Sequence, residues 1–198
     1  MAMLQIAKHW VDGINAFFND VSEFPNAVKS KDPAARSAAE ILFLYPGVKA
    51  VLIHRFSHVL WKSNAHWSAR LLSEVGRFAT GVEIHPGAEL GRRVVIDHGM
   101  GVVIGETAVV GDDVTLFQQV TLGSAHSAQG RRHPMIERGA VVGAGAVVLG
   151  AVVVGENAKI GAGSVVTKNV PANSVVVGIP AQEVNRLRAR SRQTQIQS

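Results

Sequence analysis

The chain has 198 residues, room for one domain with a helical extension and a buried core. Only 6% of residues are aromatic and none is cysteine, so the core must be aliphatic, and disulfides, thiolate metal sites and cysteine nucleophiles are excluded. The formal charge of +5 owes much to Arg186, Arg188, Arg190 and Arg192 at the end, and no nucleic-acid-binding motif accompanies it, so no nucleic acid partner is expected.

Residues 4–79 carry helical spacing. Leu4, Ile6, Trp10, Ile14, Phe17 and Phe18 make an apolar stripe, and His9, Asp12 and Asp20 interrupt any secretory pattern. Asp32-Pro33 reads as an N-cap with proline in the first turn, opening a helix from Ala34 to Leu44 that Tyr45-Pro46-Gly47 breaks. Further packed helices run through Val51, Ile53, Phe56, Val59 and Leu60, and through Trp67, Leu71, Leu72, Val75 and Phe78, with Gly81 closing the set. His9, His54, His58 and His66 read as packing or surface residues.

From about residue 82 the period becomes six. Ile84, Leu90 and Ile96 keep the beat, then Ile104, Val110, Leu116 and Leu122, then Ile136, Val142, Val148, Val154, Ile160 and Val166. Small or aliphatic residues stand four places after many anchors, as at Ala108, Val120, Ala140, Ala158 and Ser164. Neither an α-helix nor an alternating strand has this period. It fits a solenoid of short strands in which three units make a triangular coil and the anchors stack inward. The uncharged stretch from Gly139 to Gly155 approaches the length of a membrane span, but its six-residue beat reads as buried strand, and no membrane partner is expected.

A solenoid admits insertions only as loops, and such loops are disproportionately functional. The beat breaks twice, at Asp97-His98-Gly99-Met100-Gly101 and at Ser124 to Pro134, a polar, basic stretch with His126, Arg131, Arg132 and His133. Two histidine-bearing breaks in one regular scaffold outline a site.

The chain resembles the serine O-acetyltransferases. The likeness rests on Asp32-Pro33-Ala34, Tyr45-Pro46-Gly47, His54-Arg55, the run Glu83-Ile84-His85-Pro86-Gly87-Ala88, the segment from Ile96 to Thr107, Val120-Thr121-Leu122-Gly123 and Arg132-His133-Pro134. It implies an α+β fold: an α-helical region over 1–80, a left-handed parallel β-helix acetyltransferase domain over 81–182 with loop 124–134 extruded, and a basic tail over 183–198. The implied activity is acetyl transfer from acetyl-CoA, as co-substrate and without a metal, to the hydroxyl of L-serine, serving cysteine biosynthesis in the cytoplasm. His98 matches the general base, Glu83 the carboxylate that orients it, and His133 a second active-site histidine that helps bind serine and stabilises the oxyanion. Asp32 and Asp97 match holders of the substrate ammonium, and Arg132 the grip on its carboxylate. Acetyl-CoA contacts fall at Gly123, Ser124, Ala144 and Ala162. A neutral imidazole is suited to take the alcohol proton, a carboxylate to fix its tautomer, and a guanidinium fork to pair a carboxylate.

The resemblance further implies a homotrimer or dimer of trimers and feedback inhibition by L-cysteine. The end Gln195-Ile196-Gln197-Ser198 keeps its isoleucine internal, against a complex with cysteine synthase. The loop Gly123-Ser124-Ala125-His126-Ser127 departs from the family's glycine-glycine-threonine-glycine pattern. Three other readings compete: homoserine or another hydroxylated amino acid as acceptor, a trimeric β-helix zinc enzyme using His85, His98, His126 and His133, and a non-catalytic scaffold.

Overall fold

The computed structural model describes residues 2–127 and 129–184; the tail arginines and the terminal Ile196 lie outside them. Four helices come first: α1 (Ala2–Lys29), α2 (Ala38–Leu44), α3 (Pro46–Lys62) and α4 (His66–Thr80). In α1 the inward face carries Phe24 and Val28, and Phe17 lies 5.0 Å from the ring of Phe56. Gly13 sits so close to α3 that a Cβ there would stand 2.0 Å from Val59. Leu4, Ile6, Trp10, Ile14 and Phe18, expected in one packed stripe with Phe17, are left exposed.

Two sequence expectations are corrected here. The second helix begins at Ala38, not Ala34, because Ser37 is its N-cap and accepts from the Glu40 amide at 3.1 Å. Asp32 instead closes a turn, accepting from the Ala34 amide at 2.8 Å. In α4 the large residues Trp67, Leu71, Val75 and Phe78 face outward, and Ala69, Ser73, Gly76 and Thr80 are buried. Small residues let α4 approach α3 closely, and the Ser73 hydroxyl is satisfied by the Ile84 carbonyl at 2.8 Å.

The rest of the described chain winds into a parallel β-helix of three sheets. The first face stacks β1 (Glu83–Ile84), β4 (Val103–Ile104), β7 (Thr121–Gly123), β10 (Val147–Leu149) and β13 (Val165–Val166). The second stacks β2 (Glu89–Leu90), β5 (Val109–Val110), β8 (Met135–Ile136) and β11 (Val153–Val154). The third stacks β3 (Val95–Ile96), β6 (Thr115–Leu116), β9 (Val141–Val142), β12 (Lys159–Ile160) and β14 (Val175–Val177), and β15 (Gln182–Glu183) turns back antiparallel on β14. The six-residue anchors form the expected columns. Ile84, Ile104, Leu122, Val148 and Val166 are aligned rung by rung, as are Ile96, Leu116, Val142, Ile160 and Val176. All are buried.

Two of the contacts by which the helices cap the first coil are a close approach at Gly47 and the carbonyls held by Arg55. At Gly47 a Cβ would stand 1.9 Å from the Ile96 carbonyl oxygen, so the start of α3 lies directly on the end of β3. Arg55 joins three elements: it pairs with the buried Asp20 of α1 at 2.6 Å and donates to the Leu90 and Gly91 carbonyls, each at 2.6 Å. Each nitrogen of this guanidinium thus has an acceptor and its charge is matched, which burial demands.

Two outcomes follow. Gly47→Ala forces α3 off the coil, with an expected stability loss of roughly 3 kcal/mol by overpacking, read from denaturant unfolding. Burial pushes His54, His58 and His85 below the ordinary imidazole range, His85 to about 4. The unfolded chain then takes up protons first as pH falls below about 6.5, so stability present above that pH is lost progressively toward pH 4. The thermal midpoint is expected to be lower at pH 5 than at pH 7.5, and the difference to shrink in His85→Gln.

Candidate active site

His98 stands at the corner between the third face and the first. The corner is a tight turn in which the Gly99 amide donates to the Asp97 carbonyl at 2.7 Å, and His98 takes a φ of +58°. A side chain in that conformation costs about 1–2 kcal/mol, a cost the surrounding structure must hold in place. The imidazole is left 73% exposed, with Nε2 3.9 Å from Asp97 Oδ2. The other Asp97 oxygen accepts the His98 amide at 3.0 Å.

The turn before α2 and the start of α3 supply the rest of this corner. The Tyr45 hydroxyl donates to Asp32 Oδ2 at 2.7 Å. That bond first, then the Ala34 amide, holds the Asp32 carboxyl below the usual aspartate range, and the charge of His98 contributes in the same direction. The same bond pushes the Tyr45 phenol up to about 12, with Asp97 among the smaller contributors. Asp32, Tyr45, Asp97 and His98 therefore form one cluster, two carboxylates beside an exposed imidazole.

Arg132 and His133 belong to a different corner, between the first and second faces. The chain leaves the coil after Gly123 and re-enters in the register that pairs Val109 with Met135, which sets Arg132 over Glu106 and His133 over Thr107. Arg132 pairs with Glu106, whose carboxyl it holds below the usual range. His133 is buried, and its ring lies across Gly105, where a Cβ would meet its Cδ2 at 2.1 Å. Its Nδ1 receives the Thr107 amide at 3.1 Å. Burial first, then the charge of Arg132, pushes its pKa down. His85 lies at the same corner and turns its Nδ1 inward to accept the Gly87 amide at 3.0 Å, an architectural use.

The two corners are one face apart, on the order of 15 Å at about 3.3 Å per residue. Glu83 precedes the inward Ile84 and so points out from that intervening face, where no hydrogen bond or ion pair engages its carboxylate among the described residues. Ala144 and Ala162 share the His98 edge, stacked beneath Gln118 by the Gly145 and Gly163 amides. Gly123 and Ser124 lie at the other corner, where the Ser124 hydroxyl is used locally by His126, donating to its carbonyl at 2.6 Å. The structure thus splits the sequence-derived set into Asp32, Asp97, His98, Ala144 and Ala162 on one edge and Gly123, Ser124, Arg132 and His133 on the next. Among the described residues no three histidine or carboxylate side chains converge as metal ligands. A concavity of about 380 Å³ between Val166–Pro171 and Pro180–Glu183 contains none of these residues. No described helix is long and apolar enough to cross a membrane.

Sequence reasoning missed Tyr45, Glu106 and Thr107. Tyr45 read as the first residue of a helix break and as part of the family likeness, with no role in the site. Glu106 and Thr107 lie within the family-specific segment, and counting the register across loop 124–134 would have set them under Arg132 and His133.

Residues 133–168 match the bacterial transferase hexapeptide family of six repeats. The chain is 53% identical to a Bacillus subtilis serine acetyltransferase over 168 residues, 85% of this chain and 77% of that protein. It is 50% identical to a Helicobacter pylori serine acetyltransferase over 167 residues, 84% and 98% of the two chains. Among solved structures, a soybean serine acetyltransferase complexed with serine superposes with a TM-score of 0.83 at 39% identity, covering 86% of this chain and 70% of that one. A serine acetyltransferase in complex with CoA gives 0.82 at 36% identity over 90% and 74%. Another, in complex with cysteine, gives 0.83 at 36% over 92% and 74%. The likeness spans helices and coil and identifies the β-helix as the left-handed parallel type.

If the Tyr45 hydroxyl holds Asp32 anionic, Tyr45→Phe moves the Asp32 titration up toward the ordinary aspartate range. Carboxyl carbon NMR across pH 2–6 measures it; an unmoved midpoint would refute the assignment.

Proposed function

The chain belongs to the serine acetyltransferase family, and we propose that His98 is the general base in its transfer of acetyl from acetyl-CoA to the hydroxyl of L-serine. The products are O-acetyl-L-serine and CoA. The observation that carries this reading is the exposed imidazole of His98, presented by a residue at positive φ beside two carboxylates. Acetyl-CoA supplies the acyl group as a thioester. His98 takes the serine hydroxyl proton as that oxygen attacks, and Glu83, outward on the intervening face, is the carboxylate that holds its second nitrogen. The Asp32 and Asp97 carboxylates attract the substrate ammonium.

Arg132 grips the substrate carboxylate, and His133 faces the charge that develops on the thioester oxygen. A serine molecule cannot bridge the two corners of one chain. The arrangement therefore supports a homotrimer in which the His98 corner of one copy meets the loop corner of its neighbour, with each site walled by two chains. Acetyl-CoA then runs along the Ala144–Ala162 edge of one chain, facing Gly123 and Ser124 of the other. L-cysteine carries the same ammonium and carboxylate as serine, so the same groups support its binding as an inhibitor. Dependence on acetyl-CoA supports a cytoplasmic location.

Thiol release from acetyl-CoA tests the reading. Wild type is expected to release CoA with L-serine well above its rate with L-homoserine, and His98→Ala to lose about 10²–10⁴-fold in kcat. Turnover preserved in the mutant, or equal with homoserine, would overturn the base or the acceptor respectively.

A further inference from the structure

We infer that Thr107 is a positioning residue that locks His133 in the tautomer with its proton on Nε2. The inference rests on the transferase reading for its catalytic consequence and on hydrogen-bond geometry for its substance. A backbone amide can only donate, so the Thr107 N–H, 3.1 Å from His133 Nδ1, requires a lone pair there. The Thr107 hydroxyl has one proton and two lone pairs. Its oxygen accepts the Arg132 amide at 3.0 Å and the His133 amide at 3.2 Å, and lies 2.9 Å from the same Nδ1. With both lone pairs taken, its proton goes to Nδ1. One threonine thereby fixes the returning end of the loop and fills the Nδ1 position with two donors.

The consequence is chemical. Nδ1 cannot carry a proton without facing an N–H and an O–H, so His133 stays neutral and offers Nε2–H as its only ring donor. The charged and titratable groups around it are Arg132 on the loop, Glu106 at the β4–β5 corner and His85 at the β1–β2 corner. Arg132 further opposes a second positive charge. Nε2 makes no hydrogen bond within the described residues, and the ring cannot swing back because it lies on Gly105. His133 is thus a fixed hydrogen-bond donor, suited to a developing oxyanion, and is barred from acting as a base. That leaves proton abstraction to His98.

Nitrogen-15 NMR of histidine-labelled enzyme, with His133 assigned by its loss in His133→Gln, tests this directly. In wild type the expected His133 spectrum has an unprotonated Nδ1 and a protonated Nε2 at and above neutral pH. Thr107→Val removes the hydroxyl donor and leaves the amide, so it should shift the Nδ1 resonance, move the titration up toward the ordinary imidazole range, and lower kcat about tenfold or more while KM for acetyl-CoA holds. Thr107→Ser, which keeps the hydroxyl, should restore both. A protonated Nδ1 in wild type would overturn the inference, as would a folded Thr107→Val that loses activity with the His133 signals unchanged. The tautomer is read without turnover, so a wild type that transfers no acetyl group would sink the transferase reading alone.

Discussion

Successive coils are tied together by backbone hydrogen bonds along every face, so an extra residue can emerge only at a corner. The step between paired residues is the place to see it. Thr121 pairs with Val147 and Val109 with Met135 across the extruded loop, whereas Met135 to Val153 and Val147 to Val165 keep the plain three-unit step. The same constraint stretches the first step, from Glu83 to Val103, by the two residues that make room for the His98 turn. Both polar corners are thus products of register. The coil is rigid because its columns of Ile, Leu and Val are filled, and rigidity lets a corner hold a histidine at positive φ.

A corner of the coil alone would present His98 and Asp97 to solvent with nothing opposite. The helical cap supplies the rest, and its placement depends on Gly47. Only a residue without a side chain lets α3 begin against the Ile96 carbonyl, one residue before Asp97. Tyr45, two residues upstream, then reaches Asp32, which brings a second carboxylate to the imidazole. Arg55 secures the same docking farther along α3, where its donors finish carbonyls of the first coil that no later coil covers. The helices therefore both stabilise an end of the solenoid and complete the cluster around His98.

The two histidines of the site are made different by their surroundings. His98 is exposed, and among the described residues its ring nitrogens make no short hydrogen bond. His133 is buried, crowded by Gly105 and engaged by Thr107. A base needs a free lone pair and a route for its proton, and a fixed donor needs neither. The corners stand one face apart, so joint use of the two histidines depends on the proposed meeting of neighbouring chains.

Much of this was legible in the amino-acid order. The six-residue beat depends only on which side chains can stack inward, so the columns, the corners and both breaks could be read directly, and His98, Asp97, Arg132 and His133 with them. The helices were located by their spacing, but which face they bury was not. Trp67, Leu71, Val75 and Phe78 look like a core stripe until Ala69, Ser73 and Gly76 bring α4 up to α3. The tertiary structure alone decided that Asp32 leaves its capping role for Tyr45, that Glu106 and Thr107 lie beneath Arg132 and His133, and that the two histidines stand on separate corners. Those facts depend on where distant segments meet, and a local pattern carries no information about a hydrogen bond closed across a loop.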